Sequence, residues 1–289
     1  MKINQISPQE NKFTEVLENI ALTPKMLYYY GKLPEMRVKT AAIVGARRKT
    51  KYGEEIAYRL AFELAKRGVI VVSGLAFGID SVAHRGALDG GGVTIGVLGT
   101  EIERIYPREH EKLAMKMVER GGAVLSEYKI GDFVHPKGGF LMRNRIISGL
   151  ADVVVVVEAA EKSGSLNTAM HALEQGKDLL AVPGDITRLT SVGCNQLIKQ
   201  GANPYTGVED VLEILFPEKK GKKPAGQLLI FGDTEEETKI LRLIGEGIRD
   251  GEEIMAKAEM STEVFNQTIT MLEIKGNVRG LGANKWTLV

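Results

Sequence analysis

The chain has 289 residues, 44% apolar and 26% charged, with a formal net charge of +1. This is the composition of an ordinary globular protein, long enough for one sizeable α/β domain and a small appendage, and its near-neutral total announces no polyanionic partner. The single cysteine, Cys194, excludes an intramolecular disulfide; the longest apolar run, VVVVV at 153–157, is far too short to span a bilayer; and the N-terminus MKINQISPQENK carries no apolar signal core. A cytoplasmic protein with no membrane partner is expected.

In chain order, the β-branched and apolar runs AAIV (41–44), VIVV (69–72), VTIGVL (93–98), AVL (123–125), DVVVVVE (152–158) and LLAV (179–182) read as strands. Between them YGEEIAYRLAFELAKRG, DSVAHRGALDGG, YPREHEKLAMKMVERGG and SLNTAMHALEQGK have helical spacing, and most end in glycine. Strands apolar on both faces and joined by helices imply a parallel sheet covered on both sides. The fold class expected is therefore α/β: a Rossmann-like, doubly wound, mainly parallel sheet over residues 37–216, preceded by a lead-in segment at 1–36. A Pro/Gly/Lys linker follows at 217–226, PEKKGKKPAG. Residues 227–289 then read as three short helices and a hairpin wing turning on Gly282 and Asn284, a C-terminal winged-helix domain. Charge is distributed unevenly: 19 Lys and Arg against 14 Asp and Glu in residues 37–160, but 7 against 11 in residues 225–289. A polyanion, if one is bound, belongs with the first region.

Candidate sites collect where the strands end. In IVGARRKT, Gly45 turns the chain after the first strand, and Arg47, Arg48 and Lys49 bring positive charge beside a helix N-terminus. The same run also reads as a solvated basic loop. In SGLAFGIDSVAHRGAL, Gly74 and Gly78 permit close backbone approach. Asp80 reads there as a helix cap and His84 as a histidine held by local hydrogen bonds, a better account than acid–base chemistry. The stretch HPKGGFLMRNRIISG supplies Lys137, the turn Gly138-Gly139, the aromatic Phe140, and Arg143, Asn144 and Arg145. A cation, exposed amides and a ring are the parts of a phosphate site with base stacking, although a single aromatic is as often core. On a regular helix Arg143 and Arg145 point about 200° apart, so one faces the crevice while the other pairs with a carboxylate or a carbonyl. SGSLNTAM places Gly164 and Ser165 at a helix start that can cradle phosphate. PGDITRLTSVGCNQLI (183–198) reads as an irregular loop on the same edge, with Asn195 and Lys199 either surface or site.

Taken together and in order, VGARRKTKYG, VVSGLAFGIDSVAHRGAL, GVTIGVLGTEIERIYPREH, LSEY, FLMRNRIISGLADVVVVVEA, SGSLNTA, AVPGD and GCNQLIKQGA resemble the DNA-processing protein A family (DprA/Smf), and FTEVLENIALTPKMLYYYGKLPE (13–35) resembles its lead-in segment. The resemblance implies binding of single-stranded DNA, a homodimer formed through the Rossmann domain, and loading of RecA recombinase onto incoming DNA in natural transformation. It implies no catalytic residue, no cofactor and no metal. By motif match, Arg47, Lys137, Phe140, Arg143 and Asn144 form the strand-binding pocket, with Gly164 and Ser165 in the adjoining phosphate loop. Gly45, Arg48, Gly138, Gly139 and Arg145 join them as expected DNA-binding residues. Two departures stand out. The family's usual Gly-Leu-Ala-Arg-Gly-Ile-Asp has Phe77 at the arginine position, which removes a cation and shifts weight to stacking. Only about 36 residues precede the sheet, so no extra N-terminal helical domain is expected.

Two rivals share the fold. A phosphoribohydrolase of the LOG type needs a glutamate close behind its glycine-rich loop, and here none occurs before Glu174. A nucleotide-sensing module would keep the pocket without needing DNA. The winged helix is acidic, and its recognition-helix candidate STEVFNQTITMLEIKG has one Lys and two Glu, so a protein-interaction or oligomer role fits it better than duplex reading.

Overall fold

The computed structural model describes residues 2–132, 134, 138–217, 233–245, 247–282 and 284–288. The chain separates into two units, Met1–Lys219 and Lys220–Val289.

The first unit is built on a nine-stranded sheet. Its parallel body comprises β3 (Thr40–Val44), β4 (Ile70–Ser73), β5 (Thr94–Val97), β6 (Ala123–Ser126), β7 (Val153–Val156), β8 (Asp178–Ala181) and the two-residue β9 (Asn203–Pro204). All six expected strands are present. The segment expected only to lead in carries two more, β1 (Asn4–Ile6) and β2 (Leu27–Gly31), and β2 pairs antiparallel with β6. The order is β1-β2-β6-β5-β4-β3-β7-β8-β9. From β3 the chain winds outward through β4, β5 and β6, then crosses back to start again at β7. The winding therefore reverses between β3 and β7, and at such a switch point the two outgoing loops diverge and open a crevice.

Side-chain alternation along the strands supplies both faces. Ala41, Ile43, Val71, Val153 and Val155 pack on one side with Ala57, Leu60 and Leu64 of α1 (Lys51–Lys66) and Val82 and Ala83 of α2 (Ile79–Asp89). Ala42, Val44, Val72, Val154 and Val156 pack on the other with Ile146, Ile147 and Leu150 of α4 (Gly138–Leu150) and Ala169 and Ala172 of α5 (Gly164–Glu174). Each fully buried Val, Leu or Ile is worth about 1.5–3 kcal/mol, so the five-valine run anchors both layers at once. Phe13, Leu17 and Ile20 of the N-terminal segment complete the second layer. A Cβ on Gly149 would lie 2.8 Å from the Leu17 side chain, so this glycine sets how closely α4 sits on that segment. Helix α3 (Glu111–Glu119) and a short 3-10 turn (Arg108–His110) follow β5. The stretch 183–198, expected as an irregular loop, is helical from Val192 onward, where α6 (Val192–Lys199) places Cys194 and Leu197 in the core, and α7 (Val208–Leu215) closes the unit.

The second unit holds α8 (Glu235–Gly245), α9 (Gly251–Ala258), α10 (Thr262–Ile274) and the antiparallel pair β10 (Val278–Gly282) and β11 (Lys285–Leu288). Gly282 and Asn284 both have positive φ, as the hairpin turn requires. Ile240, Ile254, Phe265, Ile269 and Leu272 form its core, and Trp286 stands edge-on to Phe265 with ring centroids 5.6 Å apart.

Candidate functional site

At the switch point β3 ends at Val44, and the chain turns through Gly45 into Ala46, Arg47 and Arg48. A Cβ on Gly45 would come within 2.7 Å of the Ile79 side chain. Gly78 has φ +81°, and its Cβ would lie 2.2 Å from the Ala46 carbonyl, so the start of α2 can cross this turn only at glycine. Thr50 caps α1 by accepting from the Gly53 N–H, while its own hydroxyl donates to the buried Glu158 carboxylate at 2.6 Å. That carboxylate also accepts the Thr50 N–H at 2.9 Å. The basic turn is thus pinned at both ends, with Arg47 and Arg48 exposed between.

The crevice beside it has a volume of about 440 Å³. Of the expected residues it brings together Gly45, Arg47, Arg48, Phe140, Arg143, Asn144, Gly164 and Ser165. Gly138 and Gly139 open α4 just outside it. A Cβ on Gly139 would lie 2.4 Å from the Gly99 carbonyl, so this glycine serves the packing of α4 against the loop after β5. Lys137 lies outside the described residues.

Arg143 forms the floor. It is 4% exposed, and its Nη1 donates to the carbonyls of Gly74, at 2.6 Å, and Val97, at the carboxyl ends of β4 and β5. Its Nε donates to Asn144 Oδ1 at 3.2 Å, and Asn144 Nδ2 donates to Asn167 Oδ1 at 3.0 Å, which locks α4 to α5. Asp80 faces the guanidinium across Gly74, where a Cβ would sit 2.6 Å from both Arg143 Nη2 and Asp80 Oδ2. Burial pushes the Asp80 carboxyl above its ordinary value, opposed by the Arg143 charge and by backbone N–H groups of the preceding loop. Burial lowers Arg143 to about 10, with Asp80 opposing, so it remains a cation at neutral pH.

Two expectations need correction here. Asp80 does not cap α2. It is the second residue of the helix, the cap position is Gly78, and the Asp80 carboxylate reaches back to accept the Gly74 N–H at 3.1 Å. Arg145 is not in the crevice. It projects from the opposite side of α4 into a bidentate pair with Glu127 at 2.8 and 2.7 Å, and its Nε donates to the Leu22 carbonyl at 2.8 Å. The two-residue offset on a helix is the reason. His84 takes no part: the Thr94 hydroxyl donates to the Val71 carbonyl, so the imidazole Nδ1 donates to that hydroxyl at 2.7 Å, and burial lowers its pKa to about 3. Among the described residues no group of three or more His, Cys, Asp or Glu side chains has the arrangement of a metal site.

Phe140 forms the wall, half-buried, with Arg47 Cζ 5.5 Å from its ring centroid. A guanidinium over an aromatic face is held electrostatically without losing its hydrogen-bond donors. Sequence reading missed the Gly74–Asp80–Arg143 contact, although Gly74 and Asp80 were both visible in SGLAFGID.

Residues 4–216 match the family described as DNA recombination-mediator protein A, which is most of the chain and includes every crevice residue named above. The chain belongs to that family. Protein Smf of Escherichia coli is 47% identical over 192 residues, 66% of this chain and 51% of Smf, so the chain spans about half the length of that relative. The X-ray structure of DNA processing protein A from Streptococcus pneumoniae aligns with a TM-score of 0.67 at 38% identity, covering 73% of this chain and 74% of that one. DNA processing protein A from Helicobacter pylori, whose structure was described for its single-stranded DNA binding mode, aligns with a TM-score of 0.65 at 31% identity, covering 75% and 97%.

Proposed function

We propose that this chain is a non-catalytic recombination mediator that binds single-stranded DNA in the crevice between β3 and β7. The observation that carries the reading is the convergence of two exposed arginines, a buried arginine cation and one ring on a single cavity at the switch point. Arg47 and Arg48 reach phosphates, Arg143 supplies a fixed positive floor, the amides of Gly164 and Ser165 approach a phosphate at the start of α5, and Phe140 stacks on a base. Backbone contacts and stacking do not read base edges, so binding is sequence-tolerant. Lys137, by its place in the motif, adds a further phosphate contact.

The family supports the wider role: protection of incoming single strands, a homodimer formed through the sheet unit, and RecA loading in natural transformation, in the cytoplasm. No helix among the described residues is long and apolar enough to cross a membrane. We read 1–36 as lead-in, 37–216 as the Rossmann-like DNA-binding domain, 217–226 as linker and 227–289 as a winged helix for protein contacts. Removing residues 225–289 is then expected to leave single-strand affinity nearly intact. Glu174, the one glutamate of α5, is the last residue of the helix and pairs with His171 at 3.1 Å, far along the helix from the Gly164 end where a nucleotide hydrolase would need it. A nucleotide-sensing module is the second reading, because about 440 Å³ is an ordinary volume for a small-ligand site.

The deciding experiment titrates fluorescent oligo-dT against the wild type and a Lys137→Ala/Arg143→Ala variant at several salt concentrations. Each lost phosphate contact flattens the log–log salt slope by about 0.7 for a single strand. Tight binding with a flatter slope in the variant supports the pocket; absence of wild-type binding, with a mononucleotide bound instead, turns the reading to a sensor.

A further inference from the structure

The crevice does not end at Phe140. Phe140 also lines a narrow hollow of about 10 Å³, together with Arg47, Phe77 and Tyr106, and a second cavity of about 460 Å³ beyond it, lined by Thr100, Glu101, Arg104, Tyr106 and Asp132. The Tyr106 and Phe140 ring centroids are 5.4 Å apart, tilted by 48°. Phe77 stands edge-on to the His110 ring at 5.0 Å, and His110 is fixed by its Nδ1–H donating to the Leu75 carbonyl at 2.8 Å.

Their positions follow from the strand order. The crevice lies over β3 and β7, Phe77 follows β4, and Tyr106 follows β5, so the rings advance strand by strand along the carboxyl ends of the sheet. Phe77 and Tyr106 are 42% and 43% exposed. Two large rings left in water beside a third, in a row that continues a cationic crevice, mark a surface that meets a ligand rather than a packing defect. Arg47 stands at the near end of the row and the exposed Arg104 at the far end, where Glu101 and Asp132 also line the second cavity. Rings alternating with cations along a groove suit a polynucleotide single strand, whose bases stack while its phosphates are neutralised.

We propose that Phe77 and Tyr106 extend the Phe140 stacking wall, so that consecutive nucleotides of one strand run from the β3/β7 crevice past Phe140 to Tyr106, with Arg104 meeting a phosphate beyond. The proposal deepens the single-strand reading above and rests on it. It makes the occupant a run of several nucleotides rather than a mononucleotide. It also gives Phe77 a role of its own: a ring at that position adds affinity that salt does not screen.

The test uses the full chain and oligo-dT strands carrying 2-aminopurine at successive positions, whose fluorescence is quenched on stacking. The wild type is expected to quench the probe at more than one position. Tyr106→Ala and Phe77→Ala are each expected to relieve quenching at one position and to weaken binding on the order of tenfold, with the salt slope unchanged because no phosphate contact is lost. Phe77→Arg is expected to lose the quench and steepen the slope by about 0.7. Tyr106→Leu, which keeps bulk without a π face, stands in if Tyr106→Ala fails to fold. Wild-type binding to oligo-dT with quench and affinity untouched in every ring variant overturns the stacking wall while leaving the crevice reading intact. No wild-type binding to oligo-dT overturns both.

Discussion

Two sides of one helix treat the same residue type in opposite ways. Arg143 and Arg145 are each 4% exposed and stand two residues apart on α4. Arg145 is neutralised by a bidentate carboxylate and ties α4 to Glu127, after β6, and to the N-terminal segment. Arg143 makes no direct ion pair among the described residues; its donors go to strand-end carbonyls and it lines an open cavity. A buried cation whose partner is already in place is part of the scaffold. A buried cation held by dipoles, with its counter-charge incomplete, is an attractive field waiting for an anion. Residue type and burial are equal on the two sides, and only the partner separates structure from site.

The contrast can be tested at each point. The largest effect is expected from Arg145→Met, which strands the largely buried Glu127 carboxylate. Chemical denaturation is expected to show a loss of about 3–5 kcal/mol, the usual cost of breaking a buried pair, with oligo-dT affinity of the folded protein unchanged. A selective loss of affinity would place Arg145 in the site after all. Arg143→Met leaves the Gly74 and Val97 carbonyls without their donor; a loss of about 1–3 kcal/mol is expected, now with single-strand affinity lowered as well, and Arg143→Lys does not restore it because an ammonium lacks the planar fork. Gly74→Ala forces a methyl between Arg143 and Asp80, and overpacking of this kind costs about 1–3 kcal/mol.

A pH comparison sharpens the Arg143 side. Asp80 has its folded pKa raised above the ordinary 3.8, so the folded chain holds that proton more tightly than the unfolded one. Its contribution to stability is complete below 3.8 and is lost as pH rises through the raised folded value. Removing Arg143 takes away the charge that opposes the shift. The deficit of Arg143→Met relative to wild type is therefore expected to grow between pH 4 and pH 7, and a deficit that shrinks over that range would contradict the electrostatic influence of Arg143 on Asp80 across Gly74. The smallest effect is expected from Arg47→Ala, an exposed residue: stability within about 0.5 kcal/mol of wild type, and a salt slope flatter by about 0.7.

The parallel sheet was legible because its strands are β-branched runs bounded by glycine, a pattern that local sequence alone carries. β1 and β2 were not, since LYYYG becomes a strand only by docking against β6, and NQI only by docking against β2 in turn. α4 was read only conditionally as a helix: Arg143 to Leu150 are all buried, so it shows no polar stripe to reveal its period. α6 hid behind the turn residues that precede it. In the site, the residues meeting at the crevice could be named from motifs at strand ends, and the angle between Arg143 and Arg145 showed that they must diverge. Which one faced inward could not be read, because it depends on Glu127, on Leu22 and on the carbonyls of Gly74 and Val97, all distant in sequence. Asp80 looked like a cap for the same reason: its real neighbour is 63 positions away, on another helix.

The two margins of the sheet carry a consequence for assembly. One ends in the three-residue β1 and the other in β9, two residues closing on Pro204, which has no N–H to offer. Neither margin presents a run of donors and acceptors long enough to recruit a strand from another molecule. A second copy joining this unit must therefore meet it side chain to side chain, and such contacts can be dissolved by single substitutions without disturbing the sheet beneath.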